Sequence, residues 1–163
     1  MRGRRALSLL AVLLGGPAAT AAALACELQI LGARDGQLRW RGAMPPGARI
    51  ELHFVHSVLG TPVADRYRWQ HDRWVLEEER FEGLGYGLPH QAGPGERLLR
   101  EGDGWRLLLQ REVDPLVVRT APAHPMRLVA AGLPMQALET LGRGPWRIAA
   151  QGCEAVVSEK MAR

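Results

Sequence analysis

The fold class is decided by the stretch Arg49-Ile50-Glu51-Leu52-His53-Phe54-Val55-His56, in which apolar and polar side chains alternate. A period of two places the large apolar side chains on one face, which is typical of a β-strand buried on one side. Residues 64–69 repeat the pattern, with Asp65, Tyr67 and Trp69 on one face. We therefore expect two neighbouring antiparallel strands joined by the loop between them.

Further short segments along the chain also predict strands. They cover residues 74–81, 96–100, 105–110, 116–120, 127–129 and 146–157, the last interrupted at Gly152. Turn signals separate them, and Gly102-Asp103-Gly104 is the clearest hairpin signal. After residue 25 no long amphipathic helix pattern occurs, and residues 134–141 suffice for one or two turns. The sequence thus predicts one all-β domain over residues 26–163, an antiparallel sandwich or small barrel of about eight or nine strands.

The first two strands also predict a polar pair. When their apolar faces are matched, His56 lies opposite Asp65 at the end of the core face. A carboxylate in that position would fix the imidazole tautomer and compensate part of its desolvation. The pair either closes the loop 57–63 structurally, or forms a polar pocket with Ser57 and Arg66 for a small anion or a partner's side chain.

Gly85-Tyr86-Gly87 is a second candidate binding segment, within a stretch that has Gly at alternate positions. Such alternation leaves one face of an extended segment bare, either for close packing of a neighbour or for a ligand groove. Neither Lys-Ser nor Lys-Thr follows, so the segment is not a phosphate-binding loop.

We interpret the run Glu77-Glu78-Glu79 as a solvated edge that discourages strand addition.

The sequence predicts no enzymatic activity, metal or cofactor. Ser57 directly follows His56, so their side chains point to opposite faces of an extended strand and do not form a Ser-His-Asp triad. The chain also lacks a G-x-S-x-G motif, which leaves a small hydrolase as the weakest alternative. His53 and His56 diverge for the same reason, and the two cysteines form no C-x-x-C pair for zinc.

Residues 1–25 have the three regions of an export signal. Three arginines precede an apolar segment, and a run of small residues ends at Ala25. Cleavage after Ala25 would release the mature protein into the periplasm. The alternative is an uncleaved membrane anchor over residues 6–25, a length that is about enough to span a bilayer.

The net charge of the mature chain excludes nucleic acid as a leading partner. Lys and Arg number 21 against 17 Asp and Glu, but three of the arginines lie in the export signal, so 18 basic residues remain. A surplus of one positive charge provides no surface that could follow a phosphate backbone.

Two modifications compete for the sulfur of Cys26, the first residue after cleavage. Ala23-Leu24-Ala25-Cys26 resembles a bacterial lipobox, which would lead to lipidation. A disulfide to Cys153 instead accounts for both cysteines of a chain exported to an oxidising compartment. We favour the disulfide, because lipidation would leave Cys153 as a free thiol outside the cytosol.

A longer pattern of residues runs through the mature chain and points to a family. Its most specific element is Phe54-Val55-His56-Ser57-Val58. It continues in order with Pro62-Val63, Asp65, Arg66-Tyr67, Phe81, Gly85-Tyr86-Gly87-Leu88-Pro89, Gly95-Glu96, Gly104-Trp105, Leu116-Val117-Val118-Arg119 and His124. In these residues the chain resembles the bacterial family called domain of unknown function 1850. It departs from the family pattern at Asp65, where Glu is expected, and at Tyr86, where Ala is expected.

The resemblance implies an exported or membrane-anchored protein with which no enzymatic activity is associated. It also implies a companion of tripartite ATP-independent periplasmic (TRAP) transporters of the TAXI subtype, encoded beside the large permease subunit. The expected function is that of an accessory or binding protein, whose partner is a TRAP permease subunit, a TAXI solute-binding protein or a small organic anion. A structural cell-envelope domain unrelated to transport is the alternative.

Overall fold

The computed structural model describes residues 26–121 and 123–153, and it shows two antiparallel β-sheets packed around one core. The expected all-β sandwich is therefore confirmed. The predicted export signal or anchor in residues 1–25 and the predicted strand residues 154–157 lie outside the described residues. Within the described residues, no helix is long and apolar enough to cross a membrane.

Eleven strands occur in the described residues. The first five are β1 (Cys26–Gly32), β2 (Leu38–Met44), β3 (Arg49–Val55), β4 (Pro62–Gln70) and β5 (Arg73–Phe81). The others are β6 (Arg97–Glu101), β7 (Gly104–Val113), β8 (Leu116–Val118), β9 (Met126–Ala130), β10 (Gln136–Ala137) and β11 (Trp146–Gln151). The smaller sheet has the order β2-β1-β11-β8, and the larger has the order β10-β9-β3-β4-β5-β7-β6. One 3-10 turn, Leu138–Leu141, follows β10.

Strands β1, β2 and β10 are absent from the predicted set. In β1 buried residues alternate with half-buried ones, but Leu31 directly follows the fully buried Ile30 and blurs the period of two. Strand β2 lies at the edge of its sheet and buries only Met44 completely, so its apolar pattern is weak. Strand β10 has only two residues, within the segment 134–141 where the sequence allows one or two helical turns. These three strands account for the larger number.

One tryptophan joins the two sheets across the core, and a second packs against it. Trp74 of β5 is buried, and its indole Nε1 donates a hydrogen bond of 2.9 Å to the carbonyl oxygen of Ile148 in β11. The indole therefore contributes its large apolar surface without leaving a buried donor unpaired. Trp69 of β4 packs edge-on against Trp74, with ring centroids 5.0 Å apart.

The predicted register of the β3–β4 hairpin is wrong. Leu52, not His56, lies opposite Asp65. The difference is four residues, an even number, so every side chain keeps the face that the alternation predicts. Strand β4 begins at Pro62, and the loop before it is closed by the N–H of His56, which donates to the carbonyl oxygen of Thr61 at 2.8 Å.

The interpretation of Glu77-Glu78-Glu79 as a solvated edge is also wrong. Strand β5 lies inside the larger sheet, between β4 and β7. A β-bulge opposite Arg66 and Tyr67 inserts Glu77 as an extra residue, so Glu77 and Glu78 both face outward. Glu79 then faces the core.

Cys26 and Cys153 form a disulfide, which confirms the preferred prediction for the two cysteines. The bond joins the first residue of β1 to Cys153, which follows the end of β11 in the chain, and both cysteines are buried. A disulfide is compatible with an oxidising compartment outside the cytosol.

We expect reduction of this disulfide to lower the free energy of unfolding by about 4–5 kcal/mol, because the bond restricts a long segment of the unfolded chain. The cysteines are 127 residues apart in sequence. Urea denaturation of the oxidised and reduced protein measures the difference. The double variant Cys26→Ser, Cys153→Ser is the control and should behave like the reduced protein in both conditions. Equal midpoints for the oxidised and reduced protein would contradict this expectation.

Candidate functional site

His56 stabilises the loop after β3. Its ring Nδ1 accepts hydrogen bonds from the backbone N–H groups of Val58, at 3.3 Å, and Leu59, at 3.1 Å. An imidazole that accepts at Nδ1 in this way carries its proton on Nε2. His56 therefore acts as a cap for the turn, and it does not share a site with Asp65. Ser57 is exposed on the same turn.

The other predicted binding residues lie in two further places. Asp65 and Arg66 are consecutive in β4, so Asp65 faces the core and Arg66 the outer surface. Gly85, Tyr86 and Gly87 all have positive φ and form a turn after β5. The turn is closed by the N–H of Leu88, which donates to the carbonyl oxygen of Gly85 at 3.1 Å. The structure thus distributes the predicted binding residues over the turn after β3, strand β4 and the turn after β5.

On the core face, Asp65 meets a second carboxylate. Glu79 in β5 is its cross-strand neighbour. The hydroxyl of Tyr67 donates to Asp65 Oδ2 over 3.4 Å. Glu79 Oε2 is buried without a hydrogen-bond partner among the described residues. In the part of the chain that the structure describes, no three His, Cys, Asp or Glu side chains are grouped so that they could hold a metal ion.

The surroundings of this pair favour its protonated form. Burial raises the pKa of Asp65 to about 7, and the Glu79 carboxylate adds to the rise, whereas the hydrogen bond from Tyr67 opposes it. Burial also raises the pKa of Glu79, against the lowering effect of Arg111. The pKa of the Tyr67 phenol is raised far above its usual value by burial and by Asp65. The two carboxyl groups therefore retain a proton at a higher pH than exposed acids do.

The outer face of the larger sheet carries a chain of ion pairs. The Glu51 carboxylate contacts His53 Nε2 at 2.8 Å and the Arg66 guanidinium at 2.7 Å. Burial acts to raise the pKa of Glu51, but the hydrogen bonds from His53 and Arg66 hold it below its usual value. Glu78 continues the chain, since it contacts Arg66 at 3.4 Å and Arg80 at 2.7 Å. Charged side chains of three neighbouring strands are thereby linked.

A groove with a volume of about 890 Å³ opens at one end of this face. It lies where β3 ends and β4 begins. Its lining includes the apolar Val55, Pro62 and Ala64, the basic Arg80 and Arg127, and the acidic Glu82, Glu101 and Asp103. Apolar side chains combined with charged groups are found in many small-molecule sites.

One lateral row of the sheet carries basic side chains across this groove. Cross-strand pairing gives the order Arg127, His53, Ala64, Arg80 and Arg106 on β9, β3, β4, β5 and β7. The methyl side chain of Ala64 leaves a gap in the middle of the row. Since strands are about 4.8 Å apart, the backbones on the two sides of the gap are separated by about 10 Å.

The two halves of the row differ in how far acidic residues neutralise them. Arg80 pairs with Glu78 at 2.7 Å and lies 3.9 Å from Glu101. Arg106 lies 3.6 Å from Glu101 as well. Arg127 is exposed and has no ion pair within residues 26–121 and 123–153. His53 contacts Glu51 at 2.8 Å, so the β9–β3 half keeps one cation without an acidic partner among the described residues, Arg127, and the positive potential of the groove is strongest there.

The groove residues could not be predicted as a site from the sequence. The alternation of β3 does place His53 on the face opposite the core. The position of Arg127 beside His53 depends on the pairing of β3 with β9, which are far apart in the chain. No local motif could therefore indicate the basic row.

We expect His56→Ala to lower the free energy of unfolding by about 1 kcal/mol, because the backbone N–H groups of Val58 and Leu59 lose their acceptor. His56→Asn should retain most of the stability, since an amide oxygen can accept in place of Nδ1. Urea denaturation of both variants measures the effect. Equal losses in the two variants would show that the acceptor does not hold the turn.

We expect the protein to lose stability as the pH rises from about 4 to about 7, because the native state keeps a proton that the unfolded chain releases. Asp65 has its ordinary pKa of 3.8 when unfolded and a pKa of about 7 in the native state. Asp65→Asn should flatten this dependence, raising the melting temperature at about pH 8 with little change at about pH 4. Thermal unfolding across this range measures it, and an unchanged pH profile in the variant would refute the assignment.

Comparison with known proteins places the chain in a family. The family model described as Domain of unknown function (DUF1850) matches residues 50–140, which is more than half of the chain. The match covers β4 to β10 and nearly all of β3, so it includes the basic row and the buried carboxyl pair. No curated protein and no solved structure matches the chain. The chain therefore belongs to the DUF1850 family.

Proposed function

We propose that this protein is an exported accessory protein of a TAXI-type TRAP transporter and that it binds a small organic anion in the groove. The observation that carries the proposal is the row of basic side chains that crosses the groove with a gap at Ala64. Membership of the DUF1850 family supports the link to transport through the association that the resemblance to that family implies. We expect no enzymatic turnover.

The groove can hold an anion from both sides of the gap. Arg127 and His53 are cross-strand neighbours on one side, and Arg80 lies on the other. A guanidinium group matches the geometry of a carboxylate and binds it through two parallel hydrogen bonds. The apolar side chains of Val55 and Pro62 suit a short carbon chain. A small dicarboxylate therefore suits the basic row and these apolar side chains. The carboxylates of Glu82, Glu101 and Asp103, which also line the groove, direct it toward Arg127.

The disulfide supports a location outside the cytosol. Disulfides persist mainly in oxidising compartments, and this one occupies the sulfur that lipidation of Cys26 would need. We propose that the mature domain lies in the periplasm after removal of residues 1–25, or is held at the membrane by residues 6–25 if these are not cleaved. Its proposed partners are the permease subunit or the solute-binding protein of the transporter.

A structural cell-envelope domain is the second candidate function, and one observation favours it. Arg80 and Arg106 already have acidic neighbours in Glu78 and Glu101. An anion on that side of the groove would compete with these ion pairs. If the ion pairs serve only to hold the strands together, the groove binds no anion and the protein makes no contribution to solute uptake.

We expect succinate to bind the groove and Arg127→Gln to weaken its binding about tenfold or more, because the variant loses a charge-assisted hydrogen bond of about 1.5–3 kcal/mol. Ala64→Leu should also weaken binding, since the larger side chain fills the gap in the row. Isothermal titration calorimetry measures both affinities. Succinamide, the uncharged analogue, should not bind.

Arg147→Gln is the matched control. Arg147 is exposed on β11 of the smaller sheet, so this variant removes the same charge away from the groove. It should bind succinate like the wild type. Absence of binding by the wild type, or an equal loss in Arg147→Gln, would refute the anion site. Uptake assays in cells that lack the protein, complemented with either variant, then test the link to transport.

A further inference from the structure

Exposed apolar side chains gather at the groove end of the molecule. Tyr86 is 73% exposed and Val58 is 63% exposed, and Val55 and Leu84 are also exposed. Strands β3 and β5 run in the same direction on either side of β4, so the segments that follow them leave the sheet at the same end. We call these four residues, Val55, Val58, Leu84 and Tyr86, the apolar tip.

The two segments that carry the apolar tip are attached to each other. Thr61 Oγ1 donates a hydrogen bond of 3.0 Å to the carbonyl oxygen of Glu82. The side chain of Leu59 approaches Gly83 so closely that an added Cβ would lie 3.2 Å from it. Gly83 also has a φ of +80°, which favours glycine. The two segments are therefore fixed to each other at the end of the sheet where these exposed side chains lie.

Tyr86 is held in a conformation that tyrosine rarely adopts. Its φ is +55°, between Gly85 and Gly87, which have positive φ as well. A left-handed conformation destabilises a residue with a Cβ by about 1–2 kcal/mol. The ring is exposed, so burial in the described domain does not offset this strain. Strained residues cluster where they make functional contacts, and tyrosine is enriched at the centres of protein interfaces.

The charges around the apolar tip favour a protein over a lipid surface. Glu82 directly precedes the segment of Leu84 and Tyr86, Asp103 lines the groove at the same end, and both are exposed with no ion pair among the described residues. Arg127, the groove cation that has no ion pair within the described part of the chain, lies further from the apolar tip, on β9 beside His53. Surfaces that insert into anionic membranes are rich in Lys and Arg, and these two carboxylates would be repelled there. They would instead complement basic residues around an apolar recess on another protein.

The position of the first described residue also favours a partner protein over a lipid surface. Cys26, where the described domain begins, pairs with Met44, and the short link 45–48 leads from Met44 to the start of β3. The apolar tip lies at the other end of β3, about 23 Å away for a seven-residue strand. A domain tethered to the membrane through its N-terminus would therefore point the apolar tip away from the lipid surface.

We infer that the apolar tip is the docking surface for a partner protein that carries an apolar recess bordered by basic residues. Val55 belongs to the apolar tip and also lines the groove. A partner seated on the apolar tip therefore covers the mouth of the groove. The assignment does not require that the groove bind an anion.

Site-specific photocrosslinking of the full chain in cells of its native host tests this docking surface. A photoreactive phenylalanine analogue replaces Tyr86 or Val58, and in the controls it replaces Leu38 or Val117. The control residues are 45% and 42% exposed, and they lie on the smaller sheet. The positions in the apolar tip should give one and the same protein adduct, and the controls should give none. Adducts at all four positions, adducts with lipid, or no adduct would overturn the inference.

The crosslinked protein, identified by mass spectrometry and purified, is then titrated with the wild type and with double variants. Val58→Ser with Leu84→Ser should weaken binding at least tenfold, because these side chains would lose their burial in the interface. Leu38→Ser with Val117→Ser is the matched control and should bind like the wild type. Equal affinities would overturn the inference. Succinate binding should be unchanged in both double variants. The docking proposal and the anion proposal are therefore tested independently of each other.

Discussion

Burial of one face of the seven-stranded sheet against the four-stranded sheet is the constraint on which the rest of the structure depends. It commits every second residue of β3 to the core, as the buried Ile50 and Leu52 show. The residues between them must face outward, because successive side chains of a strand point to opposite faces. The basic row across the groove consists of such outward residues, contributed by five adjacent strands. The packing of the core thus determines which side chains are available to a ligand.

A single inserted residue changes the electrostatics of both faces. The bulge at Glu77 lets two consecutive glutamates face outward, where Glu77 pairs with Arg49 and Arg68, each at 2.7 Å. It also directs Glu79 to the core, beside Asp65. Without the bulge, the alternation would be continuous through β5 and the two acids could not both lie on the outer face. The ion-pair network and the buried carboxyl pair therefore share one structural cause.

The two ends of the sandwich have different properties. One end holds the disulfide, where the first residue of β1 is joined to Cys153. The other end has the groove, the turn capped by His56 and the apolar tip with Tyr86. Covalent closure at one end stabilises the domain, while irregular segments at the opposite end present side chains to solvent. A rigid sheet that positions variable loops is a common arrangement for binding proteins.

Most strands and their faces could be predicted from the sequence because the apolar alternation is local to each segment. The cysteine count favoured the disulfide, since only one intramolecular pairing was available, although lipidation of Cys26 was the open alternative. The edge strands β2 and β10 could not be predicted in this way, because an edge strand buries few residues and its apolar alternation is weak. The family resemblance likewise rested on short motifs that can be recognised without coordinates, and the match over residues 50–140 agrees with it.

The sequence by itself determined the fold class and the buried face of most strands, and it favoured the disulfide over lipidation of Cys26. Only the tertiary structure decided that Asp65 meets Glu79 rather than His56, and that Arg127 stands beside His53. The reason is that a period of two defines the face of each side chain but not its lateral neighbour, since any even shift in register preserves the faces. Lateral neighbours depend on loop closure, bulges and the pairing of distant strands, and these arise when the whole sheet assembles.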